Sequence, residues 1–302
     1  MSNERINLAR VEKNDEFYTQ LEDISNELQH YKNNLKGKIV YCNCDNPEWS
    51  NFWKYFKDNF QELELKRLIS THFSINGEEV YRLDFDGKEE YKTSLKENGD
   101  FRSEEAVNIL KEVDIVITNP PFSLFRDFVK LMIECNKKFL IIGHQNNVTY
   151  RDIFYLIKDN KVWLGYGFKG SVGFFINKQY ENYAKAKDKK EGMIRVSGVH
   201  WFTNLKHNKQ TNKLNLIEVY NESNYPKYDG YDCIEVSKTK LIPKDYTGYI
   251  GVPISYLDKH NPSEFTICGL NHHEALYPKI GKTLTIKGKK IFKIIILKRN
   301  LD

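Results

Sequence analysis

The apolar positions of this chain change period repeatedly, and the changes mark out its elements. Leu21, Ile24, Leu28 and Tyr31 recur at helical spacing, and Thr19-x-x-Glu22 has the form of a capping box at the start of that helix. Lys36-Gly-Lys38 closes it and leads into a short apolar strand, Ile39 to Cys42. A turn dense in polar groups follows, Asn43-Cys-Asp-Asn-Pro47, and then a helix carrying Phe52, Trp53 and Phe56, with Ser50 placed to cap it. Strand, polar turn and helix make the first half of a βαβ unit. A second strand is expected over Leu65 to Thr71, then a polar, hairpin-rich stretch that includes Val80 to Phe85. Gly99-Asp-Phe101 reads as a turn, with Ser103-x-x-Ala106 opening the next helix.

Ile115 to Ile117 is a continuous apolar run of the kind buried in a parallel sheet. Beyond it, Phe125, Phe128, Leu131 and Met132 share one helical face, and Phe139-Leu-Ile-Ile-Gly143 is another buried strand. Val148 to Lys158 reads as helix and Val162-Trp-Leu164 as strand. This alternation argues for an open, mostly parallel α/β sheet with right-handed crossovers. After about residue 165 the pattern loosens. Phe174-Phe-Ile176 and Ile194 to Asn204 look like strands, whereas the stretch from Lys206 is broken by turns such as Asp229-Gly and His260-Asn-Pro262. The expected organisation is a main α/β domain over 1–204, with a loose polar arm at 1–15, and a smaller, mainly β lobe over 205–302.

Composition narrows the class without choosing a function. Hydrophobic residues make up 40% and charged residues 29% of the 302, which is globular rather than disordered. The net charge of +5 is compatible with a polyanionic partner and does not demand one. Five cysteines without paired spacing, and a polar start without an apolar core, point to reduced thiols, no membrane and a cytoplasmic setting. No zinc or other metal site is expected: Cys42-x-Cys44 lacks a second ligand pair, and His272-His-Glu274 lacks further ligands. Gly165-Tyr-Gly-Phe-Lys-Gly170 matches a dinucleotide fingerprint in form only, because the residues after it favour a strand over the helix that would meet a pyrophosphate. The basic run Lys185 to Lys190 could touch phosphates or could simply be solvated, and His144, just past a strand, reads as a loop histidine that could also line a cleft.

The candidate chemistry sits at Asn119-Pro-Pro-Phe122. Two prolines cannot extend a central strand, so Asn119 falls at the carboxyl end of the strand, where open α/β sheets place ligands. Asn-Pro-Pro is also ordinary turn punctuation. A neutral amide, proline-flanked carbonyls and an aromatic face together suit a planar base with an exocyclic amine. The turns at Asn43 to Asp45 and at Asp100 belong to the same sheet edge.

Asn-Pro-Pro-Phe is similar to the catalytic motif of S-adenosylmethionine-dependent amino-methyltransferases. The surrounding text, Asp15-Glu-Phe-Tyr-Thr-Gln20, Val40 to Pro47 with Ser50-Asn-Phe52, and Gly198-Val-His-Trp-Phe-Thr-Asn204, resembles the EcoRI-type adenine-specific DNA methyltransferases over most of the chain. The resemblance implies a Rossmann-like methyltransferase sheet with a smaller target-recognition lobe. It implies S-adenosylmethionine as cofactor, double-stranded DNA as partner, a monomer, and a cognate restriction endonuclease in the same system. Phe17, Tyr18 and Thr19 would pack against the methionine portion of the cofactor, with Asn43, Cys44 and Asp45 turning around it. Asp100 and Phe101 would bond and cover its adenine. Asn119 and the carbonyl of Pro120, followed by Pro121, would hold the target amine, and Phe122 would stack on a flipped base. The Cys44-Asp-Asn turn lacks the glycines of the wider superfamily, and the second strand does not end in the acid that commonly grips the ribose. The same chemistry on cytosine, on RNA adenine or on a protein glutamine remains open at this point, as does a silent DNA-binding module.

Overall fold

The computed structural model describes residues 18–74, 79–168, 172–176, 193–271, 284–291 and 294–300. In chain order these form β1 (Tyr18–Thr19), α1 (Leu21–Leu28), β2 (Ile39–Cys42), α2 (Asn51–Asp58), β3 (Arg67–Thr71), β4 (Tyr81–Phe85) and β5 (Glu90–Ser94). Next come α3 (Glu104–Glu112), β6 (Ile115–Thr118), α4 (Phe125–Glu134), β7 (Lys138–His144), α5 (Arg151–Lys158) and β8 (Trp163–Leu164). The remaining strands are β9 (Val172–Ile176), β10 (Met193–Ser197), β11 (Val199–Thr203), β12 (Lys227–Tyr228), β13 (Tyr231–Glu235), β14 (Tyr249–Pro253), β15 (Phe265–Leu270), β16 (Thr285–Ile286), β17 (Lys289–Lys290) and β18 (Ile294–Arg299). The chain divides into two compact units, Met1–Gln145 with Gly165–Leu205, and Asn146–Leu164 with Lys206–Asp302. Phe17, Lys185 to Lys190 and His272 to Glu274 lie outside the described residues.

Seven strands of the first unit make a mixed sheet in the order β5-β4-β3-β2-β6-β7-β11. The middle four, β3, β2, β6 and β7, run parallel. β4 and β5 on one side and β11 on the other are antiparallel. The parallel strands β2 and β6 are buried at every position, as expected of apolar runs covered on both faces. Ile24, Leu28 and Tyr31 of the α1 segment and Phe52 and Phe56 of α2 pack into the same core as Val40, Ile117 and Leu140. Ser50 caps α2 by accepting from the Phe52 N–H at 3.0 Å, and Ser103 caps α3 by accepting from Ala106 N–H at 3.1 Å.

Several boundaries differ from the sequence reading. Thr19-x-x-Glu22 is not a capping box: the N-cap is Gln20, which makes no side-chain cap bond, and Thr19 belongs to β1. The second strand starts at Arg67 rather than Leu65, and the helix expected from Val148 starts at Arg151, after a tight helical turn over Gln145–Thr149. The single strand expected over Ile194 to Asn204 is two strands. Gly198 interrupts it with φ +74°, where an added Cβ would lie 2.8 Å from Gln145 Nε2. β10 therefore joins a small sheet, β1-β9-β10, while β11 pairs with β7.

The glycine-rich loop after β8 is also explained by packing. Glu27 is 1% exposed, and its carboxylate accepts from the N–H groups of Tyr166 at 2.9 Å and Gly167 at 2.8 Å and from the Tyr31 hydroxyl at 2.9 Å. A Cβ on Gly165 would collide with Glu27 Oε1 and with Trp201. The glycine there admits a buried glutamate of this chain.

In the second unit the strand order is β12-β13-β14-β18-β15, with β13 and β14 parallel and the other pairs antiparallel. Tyr228, Cys233, Ile294 and Ile296 form part of its core. All five cysteines are free thiols. Among the described residues, no helix is long and apolar enough to cross a membrane and no cluster of metal-ligating side chains occurs.

Candidate functional site

The parallel strands β3, β2 and β6 all end at one edge of the sheet, and the polar residues of interest leave the sheet there. Asp45, three residues past β2, is 8% exposed. Its carboxylate accepts from the hydroxyl of Ser50 at 3.0 Å, from the hydroxyl of Thr118 in a very short bond, and from the backbone N–H of Asn119. Burial pushes its pKa up to about 6, against the three hydrogen bonds that favour the charge. Thr118 Oγ1 also accepts from the Cys44 N–H at 3.1 Å, so one hydroxyl bridges the turn after β2 and the end of β6. Ser70, near the end of β3, places its hydroxyl 2.5 Å from the Asp45 carbonyl and 3.0 Å from that of Cys42. The turn is thus held from both neighbouring strands.

Asn119 is half-buried and Pro120 buried. The Asn119 Nδ2 donates to Thr19 Oγ1 over 3.4 Å, which sets the carboxamide with its oxygen on the side away from Thr19. Thr19 is itself fixed: its carbonyl accepts from Asn51 Nδ2 at 2.7 Å, and its strand is paired with β9 at Phe175. Trp49 donates from Nε1 to the Tyr18 hydroxyl at 3.1 Å and stays 46% exposed. Pro121 leads into a helical turn, Phe122–Leu124, that opens α4. The Phe122 ring is half-buried and meets Phe175 edge to face, with centroids 6.5 Å apart.

Asn43 is 1% exposed, yet neither atom of its carboxamide has a hydrogen-bond partner among the described residues. A buried amide without partners costs free energy, and such a group in a native fold calls for an explanation. A polar ligand at the end of β2 would supply one.

Asp100 and Phe101 lie at the end of β3. Gly99, with φ +78°, packs where a Cβ would lie 3.1 Å from Phe73 Cα, and Ser74 N–H donates to the Asn98 carbonyl at 3.1 Å. Burial alone would raise the Asp100 pKa, but bonds from Arg102, Nε at 2.9 Å and Nη2 at 2.7 Å, hold it below the usual carboxylate range. The Phe101 ring is committed to the core, 5.0 Å from that of Phe128. Phe73, beside this loop, is 37% exposed and offers the accessible aromatic surface there.

Direct bonds therefore join Thr19 and Asp45 to Asn119, and Cys44 is tied to Asp45 through the Thr118 hydroxyl, whereas Asp100 and Phe101 stand apart at the neighbouring strand end. Sequence reasoning missed Ser50 as more than a cap, and it missed Ser70, Thr118 and Phe73. A hydroxyl at the last or next-to-last position of an apolar strand was the available signal for Thr118 and Ser70.

A family model described as adenine-specific methyltransferase EcoRI matches residues 5–294. The chain is 42% identical over 325 aligned residues to the type II methyltransferase M.EcoRI of Escherichia coli, covering 100% of this chain and 98% of that one. It is 42% identical over 311 residues to the type II methyltransferase M.MpnI of Mycoplasma pneumoniae, covering 97% of each. It is 38% identical over 311 residues to the type II methyltransferase M.MgeORF184P of Mycoplasma genitalium, covering 97% of this chain and 98% of the relative. No solved structure matches the chain.

Proposed function

The chain belongs to the EcoRI family of adenine-specific methyltransferases and is an adenine-specific DNA methyltransferase, and from that premise we propose that it moves a methyl group from S-adenosylmethionine to the 6-amino group of an adenine flipped out of duplex DNA. The observation that carries the detailed reading is the network joining Thr19, Asp45 and Asn119 at the ends of β2 and β6. Four parallel strands flanked by the antiparallel β11 support a Rossmann-like methyltransferase sheet in the first unit. The first unit is read as catalytic and the second as the target-recognition lobe. The enzyme is read as a monomer working beside a restriction endonuclease of the same specificity.

The buried carboxamide of Asn43 fits the polar end of a bound cofactor, with Tyr18, Thr19, Cys44 and Asp45 shaping the same turn. Phe73 and the Asp100 loop fit its adenine. S-adenosylmethionine supplies a methyl group already activated on a sulfonium. The protein then has to align a nucleophile, with no strong base required. An adenine amine is a weak nucleophile because its lone pair is delocalised into the ring. Two acceptors, Asn119 Oδ1 and the Pro120 carbonyl, draw its hydrogens out of the ring plane and localise that pair. Asn119 is neutral, so its part is orientation and electrostatic stabilisation, and the proton leaves to solvent. Flipping costs a few kcal/mol. Stacking on Phe122, braced edge-on by Phe175, returns roughly 1–3 kcal/mol.

Incubation with labelled S-adenosylmethionine and duplex DNA, followed by chemical identification of the methylated nucleoside, tests this reading. N6-methyladenine is the expected product. Label found only on cytosine, on RNA or on protein would overturn it.

A further inference from the structure

The second unit carries a small hairpin whose chemistry the methyl transfer does not use. Its strands, β16 and β17, are joined by Lys287-Gly288, with φ +49° and +73° at the two turn positions. Positive φ at both positions is the signature of a type I′ turn, for which Asn-Gly is the usual choice and a lysine at the first position is strained. The strain is held in place by Asp229. Its carboxylate accepts from the Lys287 N–H at 3.0 Å, the Gly288 N–H at 2.9 Å and the Thr285 hydroxyl at 2.7 Å, while its own N–H donates to the Thr285 carbonyl at 2.8 Å. The turn is therefore fixed to the connection between β12 and β13. Lys287, Lys289 and Lys290 are all exposed, and none makes an ion pair among the described residues. The Asp229 carboxylate at the turn is spent on two backbone N–H donors and the Thr285 hydroxyl. A strained, clamped backbone that displays three ammonium groups is built to present charge.

We propose that the β16–β17 hairpin is a phosphate-contacting element for duplex DNA. The inference rests on DNA as the substrate of this enzyme. Three compact ammonium groups on a fixed ribbon suit phosphates as point charges and carry no base code, so the contacts position the duplex without reading it. Each neutralised phosphate releases counterions and steepens the dependence of binding on salt.

The test uses the full chain and a fluorescent mixed-sequence duplex of about 30 base pairs, titrated between about 50 and about 200 mM salt. The variant is Lys287→Asn with Lys289→Gln and Lys290→Gln. Asn-Gly is the preferred type I′ pair, so this substitution removes charge while easing the turn. Binding should weaken about tenfold or more at the low-salt end, and the slope of log affinity against log salt should shrink by about 2.7, three contacts at about 0.9 each. Its kcat at saturating DNA should not change. Asp229→Ala, with all three lysines intact, should also weaken binding, because the ribbon is no longer held. The control removes three charges that are already paired on the first unit, through Lys32→Gln, Lys36→Gln and Lys57→Gln. An unchanged salt slope in the hairpin variant, or an equal change in the control, overturns the proposal. A wild-type chain that binds no duplex at any salt overturns the DNA reading beneath it.

Discussion

An Asn119→Ala enzyme is expected to keep its cofactor and its DNA while transferring methyl groups about 10³-fold more slowly. On the proposed mechanism the loss is confined to kcat, because there the Asn119 oxygen acts on hydrogens that must leave the adenine plane as the amine attacks. Removing it forfeits an interaction that is strongest in the transition state. The backbone frame survives, since Asp45 holds position 119 through its N–H rather than its side chain. Asn119→Asp keeps an acceptor oxygen, and the Thr19 hydroxyl can rotate to donate to it, so its activity should fall by less than that of the alanine variant. Single-turnover transfer of labelled methyl, alongside calorimetric binding of S-adenosylmethionine, separates the two effects. An alanine variant with near-normal kcat would refute the alignment mechanism.

Asp45 should give the second large effect, with opposite signs on stability and activity. Burial raises its pKa to about 6, above the ordinary aspartate value of 3.8. A carboxyl raised in this way binds its proton more tightly in the folded state. The stability it contributes is complete below the unfolded pKa and is lost as pH rises through about 6. At neutral pH the buried charge then costs the fold about 3 kcal/mol. Catalysis is expected to run the other way, because only the ionised carboxylate can accept from Ser50, Thr118 and the Asn119 N–H together. The wild-type kcat should therefore rise with pH through an apparent pKa near 6. Asp45→Asn should be at least as stable as wild type at neutral pH by thermal unfolding. Its kcat should fall about 10- to 100-fold, in line with one buried N–H left unpaired, and the acid limb should vanish. A variant that loses stability at neutral pH but keeps the wild-type pH profile would show that Asp45 serves the fold alone.

Local pattern carried much of this architecture. The apolar runs at Ile39 and Ile115 read as buried parallel strands because both faces are covered, and Ser50 and Ser103 read as caps because their bonds are local. What escaped depends on contacts distant in sequence. The Thr19 hydroxyl had a plausible local partner at Glu22, yet it faces Asn119, 100 residues away. Residues 146–164 group with the second unit through contacts that no local period records. The direction of the Asp45 side chain was equally invisible. The family resemblance put Asp45 in the turn around a cofactor and said nothing of its side chain, which accepts from Ser50 and Thr118. The glycines after β8 imitated a nucleotide loop because two kinds of close approach, by a phosphate or by a buried glutamate, ask for the same small residue.

Ser50 faces two ways at once. It accepts from the Phe52 N–H and donates to Asp45, so the first turn of α2 and the carboxylate under Asn119 share one hydroxyl. Between them, Asn46 accepts from the N–H groups of Glu48, Trp49 and Ser50 and closes the segment into a ring. Such a ring constrains length more than identity. Glu48 and Trp49 could change character and leave the circuit whole, but one residue added between Asp45 and Ser50 would take the hydroxyl away from helix or carboxylate. The distance along the chain from position 45 to position 50 is thus itself a structural quantity, as fixed as the residues at either end.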